Sequence, residues 1–161
     1  MAVVVWIVEG TWPACVDAAR AHAPRDAEIV LLHVTGSDIP GAAHGAYAGL
    51  LGRAHHERDP GERVTALAAA SAQELLQAAA ERLSGPCTRL ERVGRTEQEV
   101  VAATEGAELL VLARDGDRTH LGPRSLGPAS RFVVDHAPCP VLLVWPEPAP
   151  AVATIARNEI P

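Results

Sequence analysis

Lysine is absent, and all 14 basic residues of the 161-residue chain are arginine. That rules out a Walker A loop, whose lysine reaches the phosphates, and any mechanism through a lysine nucleophile or Schiff base. Cysteine is scarce: Cys15, Cys87 and Cys139 are odd in number, widely spaced and without a CxxC pair. Neither a disulfide framework nor a zinc knuckle is indicated, so they read as small core residues. Long apolar runs are missing too. No segment approaches the roughly 20 apolar residues that a bilayer span needs, and the apolar start Met1 to Val8 has no basic flank and meets Glu9 at once. A cytoplasmic protein without membrane association is expected.

The chain has the size of one domain, and 48% hydrophobic residues with a net charge of -6 suit a protein with a sizeable core. Charge is uneven. From Arg114 to Arg131 four arginines stand against Asp115 and Asp117, net +2, which leaves ten arginines against eighteen acids elsewhere, net -8. A locally positive loop in an acidic protein suits a small anion. Duplex nucleic acid wants a broad basic face with several phosphate contacts, so nucleic acid is not an expected partner.

Two runs, Leu109-Leu110-Val111-Leu112-Ala113 and Val141-Leu142-Leu143-Val144-Trp145, show no polar alternation, as expected of strands covered on both faces in a parallel sheet. Val3 to Val8 reads the same way. Thr11 and Pro13 open a helix with Cys15, Ala18, Ala19 and His22 on one face, and Glu28 to Val34 is a second strand. From about Val64 to Leu83, Ala68, Ala72, Leu75, Leu76, Ala79 and Leu83 fall at helical spacing, ended by Gly85-Pro86. Cys87 to Val93 alternates weakly as a strand. Thr96-x-x-Glu99 is a capping-box signal for a helix stopped near Gly106. Five strands alternating with four helices give an α/β fold: a doubly wound, five-stranded parallel sheet with helices on both faces and right-handed crossovers. The domain is expected over 1–146. Residues 147–161, rich in proline and alanine, read as a flexible C-terminal tail unless docked on a partner, and Gly36 to Glu62 as a long loop.

Val134-Asp135-His136-Ala137-Pro138-Cys139-Pro140-Val141-Leu142-Leu143-Val144 resembles the last helix-to-strand junction of the universal stress proteins. Ala107-Glu108-Leu109-Leu110-Val111-Leu112-Ala113 is similar to that family's fourth strand. Val8-Glu9-Gly10-Thr11 stands where the family has V-D-G-S, and His33-Val34 where it has H-V. The resemblance covers nearly all of Met1 to Trp145 and implies an adenine-nucleotide alpha-hydrolase-like fold and a homodimer paired through the last strand, Val141 to Trp145.

Family members that bind ATP carry G-x2-G-x9-G-[S/T]. Here Ala113 replaces the first glycine, Gly116 keeps the second, the spacer to Gly127 is one residue longer, and Pro128 replaces the hydroxyl residue. A methyl at 113 restricts close approach of the backbone, and a proline at the first helical position removes an N–H that would face a phosphate. The resemblance places ATP or another adenine nucleotide, with magnesium as its companion, against Val8, Glu9, Gly10, Thr11, Val34, Leu112 and Ala113. Its phosphates would meet Gly116, Gly127, Pro128 and Ala129, with Arg118, Arg124, Ser125 or Thr119 supplying the missing donors. Glu9 would take the part of the family's aspartate toward the adenine or ribose.

Three functions remain open. The first is a homodimeric, non-catalytic regulatory module that senses an adenine nucleotide at the loop 113–128, at most a weak ATPase. The second is a nucleotide-free dimer that recruits an unknown protein partner through loop 36–62 and the tail. The third is an enzyme acting on a nucleotide-like substrate through loop histidines or arginines. Against the first, Gly127-Pro128 is equally a plain helix opening; against the third, His44, His55, His56, Glu57 and Asp59 lack the fixed scaffold a metal needs. Cys15 and Cys139 lack an activating base. Trp6, Trp12 and Trp145 read as core or interface residues. The last strand would be an aggregation-prone edge, which pairing with a second copy would cover.

Overall fold

The computed structural model describes residues 1–37 and 60–156. Its five strands are β1 (Ala2–Trp6), β2 (Glu28–Gly36), β3 (Thr88–Gly94), β4 (Leu109–Ala113) and β5 (Val141–Val144). The helices among the described residues are α1 (Trp12–His22), α2 (Pro60–Leu83), α3 (Thr96–Ala103) and α4 (Pro128–His136). All strand pairs are parallel, in the order β3-β2-β1-β4-β5, as the alternation of apolar runs and helical stripes implies. Among the described residues no helix is long and apolar enough to cross a membrane.

Alternate side chains of each strand point to opposite faces, so the sheet builds two cores. Val3, Val5, Ile7, Leu31 and Val111 pack against Cys15, Val16 and Ala19 of α1 and Leu75, Leu76, Ala79 and Leu83 of α2. Val4, Trp6, Leu32, Val34, Leu110 and Leu112 pack on the other face against Val100 of α3 and Val133 of α4. β1 is buried on both faces because it has a strand on either side and a helical layer above and below. β5 pairs only with β4 and is half-buried throughout, an edge as its sequence suggests.

Local detail departs from the sequence reading in three places. Helix α2 starts at Pro60 rather than near Val64. Proline and glycine there read as loop residues, yet a proline fits the first turn, where its missing N–H costs nothing. The capping box at Thr96 is not formed. Arg95 is the N-cap and makes no side-chain cap bond, while Glu99 is drawn to Arg92 at 3.3 Å and lies under Gly94. At the end of α2 the left-handed residue is Ser84 (φ 59°), one position before the glycine that was expected to stop the helix. The long loop and its histidines, His44, His55 and His56 with Glu57 and Asp59, lie outside the described residues.

The described part of the tail lies on the domain. Arg118 Nε donates to Glu147 Oε1 at 2.5 Å, and Leu121 N–H donates to Thr154 Oγ1 at 2.9 Å. A short 3-10 turn at Val152–Thr154 holds Thr154 in place.

Two outcomes are expected. Ser84→Gly relieves a left-handed conformation that costs an L-residue about 1 kcal/mol, so the midpoint of urea unfolding rises. Arg82 bridges α2 to α1 through Asp17, with Nε to Oδ1 at 2.9 Å and Nη2 to Oδ2 at 2.8 Å. The hydrogen bond and charge of Arg82 hold the Asp17 carboxyl below its ordinary value. The folded pKa is thus lower than the unfolded one, and the contribution is full above the ordinary aspartate range and lost as pH falls through the depressed value. Asp17→Asn should therefore be slightly less stable than the parent at neutral pH and equal to it in acid. Because the pair is exposed, the difference should be small.

Candidate functional site

Strand order reverses between β1 and β4, since β1 leads to β2 on one side and has β4 on the other. In open α/β sheets ligands enter the crevice at the carboxyl ends of the strands at such a point. Here Val5 pairs with Val111, so the chain leaving β1 at Val8–Thr11 and the chain leaving β4 at Arg114 emerge side by side. Helix α4 runs back against the strands and begins at the same end of the sheet.

The β1 side is a tight turn. Thr11 N–H and Trp12 N–H both donate to Val8 O, at 3.2 and 3.0 Å, and Gly10 adopts φ 85°, which glycine tolerates. Glu9 and Gly10 are exposed at the turn. Thr11 is buried and is the N-cap of α1, but its hydroxyl makes no cap bond. Val34 and Leu112 are buried on the same face of the sheet, with Val8 packed partly against them. Ala113 points to the other face, where its methyl is absorbed by the core around α1 and α2.

The β4 side is a loop folded on itself. Gly116 N–H donates to Ser125 O and Asp117 N–H to Arg124 O, both at 2.8 Å. This two-rung pairing brings the backbones so close that a Cβ on Gly116 would sit 2.2 Å from Arg124 O. Asp115 receives Gly127 N–H at 2.7 Å on Oδ1 and the Ser130 hydroxyl at 2.8 Å on Oδ2. Its carboxylate therefore rests at the start of α4, where the helix dipole favours negative charge. Pro128 has no N–H to give, so the amides of Ala129 and Ser130 are those without an intrahelical acceptor.

The sequence candidates are thus divided. Gly116, Ser125, Gly127, Pro128 and Ala129 meet at the loop closure. Ser125 is fully buried, accepts from Arg114 Nη1 at 2.5 Å and donates to Gly122 O at 2.7 Å. Arg118 turns to Glu147 of the tail. Thr119 donates from both N–H and hydroxyl to Asp117, holding that carboxyl below its ordinary value with smaller help from His120 and Arg124. Arg124 is exposed and lines a cavity of about 380 Å³ shared with Asp117, His120 and Thr154.

Three contacting residues escaped the sequence reading: Asp115, Ser130 and Arg114. Asp115 and Ser130 make a contact that spans 15 positions, which no local pattern announces. Arg114 lies with its guanidinium carbon 4.6 Å from the Trp145 ring centroid, and its N–H donates to Val144 O at 2.9 Å. The register that sets Ala113 opposite Val144 puts the next residues opposite each other, whereas matching the two five-residue runs end to end would miss it by one. Arg114 Nε is buried with no hydrogen-bond partner.

Burial pushes the Cys15 thiol up to about 12 and raises Cys139 as well, so both are poor thiolates at neutral pH. Among the described residues no group of three or more His, Cys, Asp or Glu side chains could hold a metal.

A sequence model of the universal stress protein family matches residues 9–144. The chain belongs to the universal stress protein family. No curated protein sequence matches it. Solved structures share the fold. The hypothetical protein MJ0577 aligns with a TM-score of 0.69 at 17% identity, over 92% of this chain and 97% of that one. Universal stress protein UspA from Lactobacillus plantarum aligns at 0.59 with 19% identity, covering 89% and 97%. A universal stress protein in complex with cAMP aligns at 0.61 with 18% identity, covering 91% and 98%.

In this universal stress protein Gly116→Ala should cost about 1–3 kcal/mol, because the new methyl meets backbone rather than a flexible side chain. Denaturant unfolding checks the loss, which should exceed that of the same change at the open, exposed Gly85.

Proposed function

We propose that the protein is a homodimeric regulatory module that binds an adenine nucleotide at the carboxyl ends of β1 and β4. The observation that carries this reading is the start of α4 opening onto the crevice where strand order reverses. Glu9 at the β1 turn would accept from the adenine or ribose end, and Val8, half-buried against the core that holds Val34 and Leu112, would meet the base. Gly116, Gly127 and Ala129, with Arg118 and Arg124, would face the phosphates, and magnesium would accompany a polyphosphate. The cAMP in one structural neighbour supports an adenine ligand. The module is cytoplasmic and regulatory. Any ATP turnover would be slow, since phosphoryl transfer relies on fixed charge around the phosphates and the chain has no lysine to share that task.

The dimer would form through β5. Leu110 N–H donates to Pro140 O and Arg114 N–H to Val144 O. Even-numbered residues of the strand thus turn their peptide groups toward β4, and Val141 and Leu143 present theirs outward, where a second copy can pair with them. Pro146 and Pro148 limit the length of that pairing.

A second reading, a nucleotide-free dimer that recruits a protein partner, is favoured by one observation. The Gly127 N–H, the Ser130 hydroxyl and Arg118 already have acceptors within the chain.

Native mass spectrometry of the purified protein with ATP, with and without magnesium, separates the two. The first reading expects a dimer with one nucleotide per chain, and loss of that occupancy in Glu9→Gln and Arg124→Ala while the dimer survives. A dimer that stays empty, or variants that keep full affinity, count against the site.

A further inference from the structure

The proposed site contains its own anions, and this bears on which adenine ligand it takes. Asp115 is bonded to Gly127 N–H and the Ser130 hydroxyl, two donors at the helix start that a phosphate would otherwise receive. Glu147 accepts from Arg118 Nε and is half-exposed, so the tail brings a second carboxylate to the same loop. A carboxylate at a helix N-terminus is favoured by the dipole as a phosphate oxygen is. Here it takes the Gly127 N–H and the Ser130 hydroxyl, while the Ala129 and Ser130 amides keep no bond to it. It also repels a second anion, and more strongly the more charge that anion carries.

We infer that Asp115 is a specificity-determining residue that stands in for a phosphate and makes the site prefer adenine ligands of little charge over ATP. This rests on the nucleotide reading above. A triphosphate would have to displace Asp115 from both its donors or sit beside it. A singly charged cyclic phosphate or an uncharged nucleoside does neither, since the turn at Val8 and Glu9 recognises the base and ribose. The pairing of Gly116 and Asp117 with Ser125 and Arg124 fixes the backbone that carries Asp115 beside the start of α4.

The test is calorimetric titration of the parent, Asp115→Asn and Asp117→Asn with ATP, cAMP and adenosine, in EDTA so that no metal bridges a carboxylate to a phosphate. Asparagine at 115 keeps an acceptor for Gly127 N–H and preserves the helix start, which a thermal melt verifies. Asp117→Asn removes the same charge from the same loop but away from the helix.

The parent should bind cAMP and adenosine at least tenfold more tightly than ATP. Asp115→Asn should gain at least tenfold for ATP, with adenosine unchanged and Asp117→Asn unlike it. An ATP affinity unmoved by Asp115→Asn, or raised equally by Asp117→Asn, overturns the inference while the measured binding leaves the nucleotide reading intact. Absence of binding by all three ligands to the parent and to Asp115→Asn overturns both.

Discussion

Everything in this fold hangs on the burial of β1. Val3, Val5 and Ile7 are fully buried on one face, and Val4 and Trp6 nearly so on the other. A strand covered on both faces and paired on both edges can satisfy its peptide groups only through neighbouring strands. That requirement draws β2 and β4 to its sides and the described helices to its faces. It also creates the reversal of strand order, because the chain must leave β1 toward β2 and return later to fill the opposite side. The crevice is thus a by-product of the core.

The same dependence explains what the sequence could and could not announce. Apolar runs such as 109–113 and 141–144 are read from a handful of consecutive residues, since their alternate side chains pack toward both cores and leave no polar position, even in β5, which is half-buried. The two-core packing follows from simple alternation along β1. Helix ends were less legible. Glu99 sits at the spacing of a capping box but is taken by Arg92 on β3, a partner that only the assembled sheet brings near. Ser84 adopts the left-handed conformation beside a glycine that would have done so at less cost.

For the site, the order of glycines and the family resemblance singled out the loop 113–128, while its place beside the turn after β1 comes from the strand pairing. The identity of the bonded groups was out of reach. Asp115 looked like one of two acids offsetting four arginines, whereas its position at the start of α4 depends on a closure across twelve residues. Arg118 looked like a spare cation for a phosphate, and the structure gives it Glu147. Net charge along a sequence says little about which charges meet. The substitution at 113 shows the converse, for a methyl that seemed to obstruct the loop is buried in the opposite core.

Arg114 joins three parts of the molecule: its backbone to the end of β5, its Nη1 to Ser125 in the loop, and its guanidinium to the face of Trp145. A cation over an indole alters the energy of the ring's excited state as well as its ground state. Trp145 therefore carries a built-in optical signal of the loop's closure. Any event that draws Ser125 away and lets Arg114 lift from the ring changes the emission of a residue beside the exposed edge strand, without a label being attached.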